Sequence, residues 1–251
     1  MATEPAAGAA KPKLTVLSFG VLILIFCVGP LLGLTIQNPE SAMGTWVRGN
    51  RIGLYAVLMA VEWVVTGLAI YAVRHDGEKL TDIGLGAPDP AQRLGVIPRA
   101  LLNAGIVAGF LVAAQVILGA LQVSLHRLGL NYDTRGFGYL IPETRPERIV
   151  WIFVSFTAGF CEETMFRGYA IWKLRALTGK GWVAALISSV FFGFGHLYQG
   201  LAGVLLTGSY GVLFAVLYLW RKQLKPGIYA HFINDAVLGL AGQAILRRSM
   251  G

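Results

Sequence analysis

The sequence contains few charged residues. Asp, Glu, Lys and Arg make up 14% of its 251 residues, whereas a soluble globular domain carries about 25%. Hydrophobic residues account for 55%, and they are gathered into runs long enough to cross a bilayer. The composition therefore predicts a polytopic membrane protein with one membrane domain and no second sizeable domain.

Cysteines and clustered basic residues are also scarce. The two cysteines, Cys27 and Cys161, both fall within apolar runs, which argues against a disulfide framework. The net charge of +8 is spread over the short segments between the runs, as membrane topology requires, so no nucleic-acid partner is expected. No serine or cysteine is placed with a histidine as a nucleophile pair, and a buried thiol such as Cys161 is inert.

The apolar runs predict an all-α bundle of about seven to eight transmembrane helices around an intramembrane polar cavity, within a single membrane domain at residues 14–248. The seven predicted spans are 14–36, 52–73, 100–121, 148–172, 182–198, 201–220 and 226–246. An interfacial helix within residues 122–147 would be the eighth. Residues 1–13 are predicted to be a disordered tail. Lys and Arg are more frequent in the segments on the N-terminal side of the membrane, which predicts a cytoplasmic N-terminus.

Small residues at a spacing of four mark two helix faces. Gly29 and Gly33 lie in the first span, and Gly105 and Gly109 lie in the third. Faces of this kind permit close approach of neighbouring helices. We therefore expect both to contribute to tight packing of the bundle.

The last four spans contain polar side chains that hydrocarbon tolerates only at a cost. A charged group at the bilayer centre costs about 2.5–3.5 kcal/mol or more, so it persists where it is paired and useful. The candidate site residues are Glu162, Glu163, Arg167, His196, His231, Asn234 and Asp235. A further carboxylate, Glu62 in the second span, is interpreted as a group that faces the bundle interior.

The spacing of these residues predicts which of them form pairs and which one is free for chemistry. Glu163 and Arg167 are one helical turn apart and are expected to pair. Glu162 is rotated by about 100° from Glu163 in an α-helix, so it should point elsewhere and be free for chemistry. His231 and Asp235 are four residues apart and can share a face.

A carboxylate with two histidines suits the activation of water. Glu162 would act as general base, His196 would help to hold the water, and His231 with a neighbouring residue would stabilise an oxyanion. Alternatively, Glu162, His196, His231 and Asp235 would be reasonable ligands for a divalent metal such as zinc. A purely structural set of ion pairs is disfavoured, because polar contacts between membrane helices contribute only about 0.6 kcal/mol each.

Three short motifs carry a resemblance to a known family. Residues 162–167 fit EExxxR, residues 192–196 fit FxxxH, and residues 231–235 fit HxxxN except that the last position is Asp235. The sequence resembles the CPBP family of CAAX-processing proteases and bacteriocin-processing enzymes, also called the Abi or type II CAAX prenyl endopeptidase family. The resemblance covers about residues 149–246.

The resemblance implies an all-helical intramembrane endopeptidase that acts on peptides or on membrane-associated, CAAX-like proteins. It assigns water activation to Glu162 and water positioning to His196, and the oxyanion site to His231 with Asp235. Glu163 is the residue that orients Arg167. Members of the family are often labelled metalloproteases, and a metal-free glutamate mechanism is the competing view.

Asp235 departs from the family pattern. An ionised Asp would repel an oxyanion, so Asp235 must be protonated, must bind a metal, or must leave the donor role to Asn234. Straight, full-length helices would also place His231 and His196 at opposite membrane depths. Convergence requires that the fifth span start deeper, that the sixth be tilted, or that the site lie near mid-depth.

Two other functions are compatible with the same residues. A catalytically silent scaffold or immunity factor would use the pocket to bind a partner, and a proton-coupled transporter would use the carboxylates and histidines as a relay. The lack of inverted repeats argues against the transporter. The short chain and its Ala/Gly-rich start suggest a bacterial cell membrane.

Overall fold

The computed structural model of the protein is a bundle of helices. It describes residues 12–37, 45–46, 49–131, 138 and 140–249, and the side chains of 243–249 are excluded from the description. Within these residues, seven long helices follow one another and no strand occurs. They are α1 (Val16–Gln37), α2 (Arg51–His75), α3 (Val96–Arg127), α4 (Arg145–Thr178), α5 (Gly181–Phe194), α6 (Gly200–Arg221) and α7 (Lys225–Ser249). Two short 3₁₀ turns lie at Leu80–Ile83 and Leu197–Gln199.

The prediction of an all-helical membrane protein is confirmed. Among the described residues, α1 to α4 and the segment Leu197–Arg221, which contains α6, are long and apolar enough to cross a membrane. Helix α3 continues beyond its predicted span to Arg127, and so includes the start of the segment considered for an interfacial helix. Of the predicted tail at residues 1–13, residues 1–11 lie outside the described residues.

Helix α5 is too short to cross the bilayer. Its 14 residues span about 21 Å at 1.5 Å per residue, whereas the hydrocarbon core is about 30 Å thick. One end of α5 therefore lies within the thickness of the bilayer. His196 follows the C-terminal end of this short helix and shares the Phe192 ring with His231, so the expected conflict of depth between the two histidines does not arise.

Helix α4 is bounded by local signals and changes its pitch in the middle. It begins with a capping box, in which Thr144 and Glu147 each accept a hydrogen bond from the other's backbone N–H, and it ends where Gly179 adopts a φ of +66°. Residues Glu163–Ala170 form a π-helical segment in which all eight residues are buried. Such segments are rare and occur mostly at functional sites.

Glycines allow the helices that carry the site to approach one another closely. A Cβ at Gly159 would lie 2.9 Å from the backbone nitrogen of Phe232 on α7, and a Cβ at Gly193 would lie 2.6 Å from the carbonyl oxygen of Val204 on α6. Helix α4 therefore packs directly on α7, and α5 packs on α6. The Gly29 face of α1 also packs, against the backbone of Gly195 at 3.0 Å.

The third span was expected to pack closely through Gly105 and Gly109. Within the described part of the chain this expectation is wrong. A Cβ at Gly105 or Gly109 would meet no atom within 4 Å. Both residues lie on the exposed side of α3, because α3 contacts the bundle through other positions, such as the buried Val107 and Ala114.

A buried ion-pair cluster joins three distant parts of the chain. The Lys173 ammonium is fully buried and donates to Asp76 Oδ2 at 2.7 Å, to Glu78 Oε2 at 2.6 Å and to the carbonyl oxygen of Lys13 at 2.9 Å. Burial raises the pKa of Asp76, but hydrogen bonds from Lys173 and Thr15 outweigh it and leave this pKa below its ordinary value. The cluster fixes the N-terminal segment and the end of α2 to α4.

Candidate active site

Arg167 is the buried cation of the site, and Glu163 is its counter-ion. Arg167 Nη1 lies 3.1 Å from Glu163 Oε1, and both side chains are almost fully buried. The guanidinium lies over the Phe192 ring at 4.1 Å and over the Phe214 ring at 5.1 Å. Desolvated cation–π contacts of this kind stabilise by about 2 kcal/mol. Arg167 is thus held between α5 and α6 by aromatic rings as well as by its carboxylate.

The His231 imidazole lies between the two adjacent glutamates. Its Nδ1 is 3.1 Å from Glu163 Oε1, and its Nε2 is 3.6 Å from Glu162 Oε2. The expectation that Glu162 points away from the partners of Glu163 was therefore wrong in part, because the two carboxylates reach opposite edges of one ring. Glu162 stands at the transition into the π-helical segment, where rotation per residue is smaller than in an α-helix.

A chain of hydrogen bonds runs from Gln115 on α3 through Asn234 to Asp235, which lies beside His231 Nε2. Gln115 Nε2 donates to Asn234 Oδ1 at 3.1 Å, and Asn234 Nδ2 donates to Asp235 Oδ1 at 3.1 Å. Asp235 Oδ2 then lies 3.5 Å from His231 Nε2. The indole of Trp151 donates to the backbone carbonyl of Asp235 at 2.8 Å. Sequence reasoning missed Gln115 and Trp151, because each is a single polar group in an apolar span without a motif.

His196 reaches the site from the end of α5. Its Nδ1 lies 2.9 Å from the carbonyl oxygen of Phe192, which can only accept, so Nδ1 carries the proton. In the neutral ring Nε2 is then an acceptor. The rings of His196 and His231 both contact Phe192, with centroid separations of 5.1 Å and 6.2 Å. The structure thus places both histidines around one phenyl ring.

Exposure divides the site residues into two groups. Glu163, Arg167, His231 and Asn234 are buried. The side chains of Glu162 and Asp235 remain 17% and 25% accessible, and His196 is partly exposed. The accessible groups can meet a substrate directly, whereas Glu163 and Arg167 are buried against each other and hold their neighbours in place.

Glu62 of α2 faces the same region. Its carboxylate interacts electrostatically with those of Glu162 and Asp235, and its buried Oε2 has no hydrogen-bond partner among the described residues. This agrees with the interpretation of Glu62 as a carboxylate that faces the bundle interior. Cys161 is fully buried beside these glutamates, as an inert thiol would be.

The residues do not fit a zinc site as they are arranged. Zinc takes four ligands at about 2.0–2.3 Å in a tetrahedron. No group of three or more His, Cys, Asp or Glu side chains in the described ranges could hold a metal ion. The steps derived below are therefore carried by the side chains alone.

The fold and the site define a polytopic helical membrane protein with a buried carboxylate–histidine centre at bilayer depth. Residues 144–237 match the family model of type II CAAX prenyl endopeptidase Rce1-like proteins. No curated protein and no solved structure matches the chain significantly.

The matched segment begins at the cap of α4 and contains all three motifs. This match supports the family that the motifs predicted, and it supports an enzyme of the protease kind.

Proposed function

We propose that the protein is an intramembrane endopeptidase in which Glu162 activates a water molecule. One observation carries the proposal. Of the two adjacent glutamates, Glu163 is buried against Arg167, whereas Glu162 is accessible and has an oxygen beside His231. A general base must reach the proton that it removes, and Glu162 is the glutamate of the pair that meets this condition.

The first step forms a tetrahedral intermediate. Ionised Glu162 takes a proton from water while the water oxygen bonds to the carbonyl carbon of the substrate. The π electron pair of the carbonyl moves to its oxygen, which becomes an oxyanion. His196 Nε2, as an acceptor, orients the second hydrogen of the water. His231 Nε2–H faces the oxyanion and stabilises it.

The second step breaks the peptide bond. The oxyanion re-forms the carbonyl, the C–N bond breaks, and Glu162 returns its proton to the leaving amine. The products are a carboxylic acid and a free amine, and Glu162 is ionised again. Arg167 and Glu163 remain paired throughout and hold His231 in orientation.

An apolar cavity on two of the helices that carry the site favours a membrane-associated substrate. An apolar cavity of about 220 Å³ lies between α4, α7 and the loop after Leu80–Ile83. Phe156, Phe160, Leu224, Ile228 and Tyr229 are among its lining residues. A lipidated, CAAX-like peptide or an apolar segment of a membrane protein suits such a lining. We place the enzyme in a bacterial cell membrane with its N-terminus in the cytoplasm.

Purified protein in liposomes tests the proposal. The substrates are prenylated peptides that end in Cys-aliphatic-aliphatic-X and unprenylated apolar peptides, and cleavage is followed by mass spectrometry. Glu162→Gln should reduce cleavage by at least about a thousandfold. Glu143→Gln makes the same chemical change at an exposed carboxylate and should leave the rate unchanged.

The same experiment separates the enzyme from a scaffold. Equal activity of the wild type and Glu162→Gln would contradict the proposal, as would a physiological effect that survives Glu162→Gln in cells. Elemental analysis before and after a chelator addresses the metal. The proposal expects cleavage to persist at a metal content far below one ion per chain.

A further inference from the structure

We propose that Tyr210 is a further catalytic residue, whose hydroxyl donates a hydrogen bond to the oxyanion of the tetrahedral intermediate. This inference rests on the proposed peptidase function. It adds to the site a residue of α6, which carries none of the three motifs.

Tyr210 lies at the point where α6 touches the site. The next residue, Gly211, offers its carbonyl oxygen to Arg167 Nη2 at 3.5 Å. One turn further along, Phe214 stacks on the His231 imidazole at 5.2 Å. The Tyr210 ring packs against Phe214 at 4.5 Å. The hydroxyl interacts electrostatically with Asp235, Glu163 and Arg167, so it lies among the polar groups rather than in lipid.

The Tyr210 hydroxyl is buried and has no hydrogen-bond partner among the described residues. Leaving a buried polar group unpaired costs about 1–3 kcal/mol, and such groups are rare in native proteins. A phenylalanine would fill the same space without this cost. A hydroxyl kept at this place is explained if its partner is the substrate.

In the proposed step the oxyanion has His231 as one donor, and the other donors nearby are already engaged. Asn234 Nδ2 donates to Asp235, and the Trp151 indole donates to the Asp235 backbone. Arg167 is shared between Glu163 and the Gly211 carbonyl. The position that holds Asn in the family motif is Asp235, which accepts when it is ionised. A phenolic hydroxyl supplies the missing hydrogen bond without adding charge.

No bond to Tyr210 forms or breaks in the proposed step. The electron pair of the substrate carbonyl moves to its oxygen as water attacks, and the phenol keeps its proton while it donates to that oxygen. The interaction is stronger in the transition state than with the neutral carbonyl, so it should act on kcat more than on KM. The phenol packs in a cluster of three rings, with Phe214 of α6 at 4.5 Å and Phe110 of α3 at 6.3 Å between centroids.

Tyr210→Phe tests this role because it removes only the hydroxyl. In proteoliposomes with the cleaved peptide, we expect kcat to fall about a hundredfold and KM to change less than twofold. The melting temperature should be unchanged or higher. A phosphinate analogue of the same peptide, whose anionic oxygen mimics the oxyanion, should bind about a hundredfold more weakly. Tyr71→Phe removes the same hydroxyl from an exposed tyrosine of α2, and it should change kcat less than threefold.

Each outcome decides the proposal. A kcat within threefold of wild type, or an unchanged phosphinate affinity, overturns the role of Tyr210, as does an equal loss in Tyr71→Phe. Glu162→Gln is assayed in parallel: if it cleaves as fast as wild type, the peptidase mechanism fails, and the phosphinate affinities of wild type and Tyr210→Phe still decide whether Tyr210 binds an anionic oxygen. Absence of phosphinate binding to wild type overturns both proposals.

Discussion

Two neighbouring glutamates in one helix have different surroundings. Glu163 is buried, and both Arg167 Nη1 and His231 Nδ1 lie 3.1 Å from its Oε1, so its negative charge is compensated. Glu162 keeps a buried oxygen, Oε2, that accepts no hydrogen bond from the described residues. A carboxylate without a committed donor is the one that can take a proton from water, and this difference follows from position rather than from residue type.

Substitution of Gln115 tests whether the hydrogen bonds that hold Asp235 contribute to catalysis. Gln115→Leu removes the donor to Asn234 Oδ1, and a typical hydrogen bond contributes about 0.5–1.5 kcal/mol. We expect kcat to fall about two- to tenfold with little change in KM, as measured with the liposome assay. Val116→Leu, at the neighbouring lipid-exposed position, is the control. A loss in Val116→Leu as large as that in Gln115→Leu would show that α3 acts through general packing.

The elements that carry the site are placed by backbone contacts and by the π-helical segment. The widened turn leaves the Phe166 carbonyl accepting from the Ser188 hydroxyl of α5 at 2.7 Å, which ties α4 to α5. Gly193, three residues before His196, lies against the backbone of α6. The position of His196 therefore depends on the contact of α5 with α6.

Gly193→Ala tests this contact. The nearest atoms to a new Cβ are backbone atoms of Val204 and Gly208, which cannot rotate away, and overpacking costs about 1–3 kcal/mol. Unfolding in detergent should occur at lower temperature, and cleavage should decrease because His196 is displaced. Gly109→Ala, where a Cβ meets nothing within 4 Å, should be neutral or stabilise by about 0.5–1 kcal/mol. Equal effects of the two changes would contradict this account.

The Lys173 cluster holds distant parts of the chain together. Asp76 and Glu78 follow α2, Lys13 precedes α1, and Lys173 lies in α4, so the cluster connects segments that are distant in sequence. Removing one partner of a buried ion pair costs about 3–5 kcal/mol. Lys173→Met should therefore lower the free energy of unfolding by this amount.

The cluster also predicts how stability depends on pH. The pKa of Asp76 is lowered in the folded protein, so its contribution is complete above its ordinary pKa of 3.8 and is lost as the pH falls through the lowered value. The free energy of unfolding should decrease on acidification below about pH 4, and this decrease should be smaller in Lys173→Met. Chemical unfolding in detergent across pH measures both slopes, and parallel slopes would contradict the assignment.

Sequence patterns predicted the helices and the motif residues. The roles of isolated polar residues depend on tertiary packing and could not be predicted. Apolar runs gave the helices, because hydrocarbon requires all backbone groups to pair within a segment. The motifs identified Glu162, His196 and His231. Isolated polar residues such as Gln115 and Tyr210 carry no periodic signal, since their role depends on which helix faces them. The apolar run at residues 182–198 predicts a longer helix than α5, because the sequence stays apolar beyond the end of the helix at Phe194.

The central claim is that Glu162 activates water and does not itself attack the peptide bond. A single-turnover cleavage in water enriched in ¹⁸O, followed by mass spectrometry of the product and of the peptide that contains Glu162, tests it directly. We predict one ¹⁸O atom in the new carboxylate of the product and none in Glu162. Label in Glu162 with an unlabelled first product would contradict the account, because it would identify the carboxylate as a nucleophile.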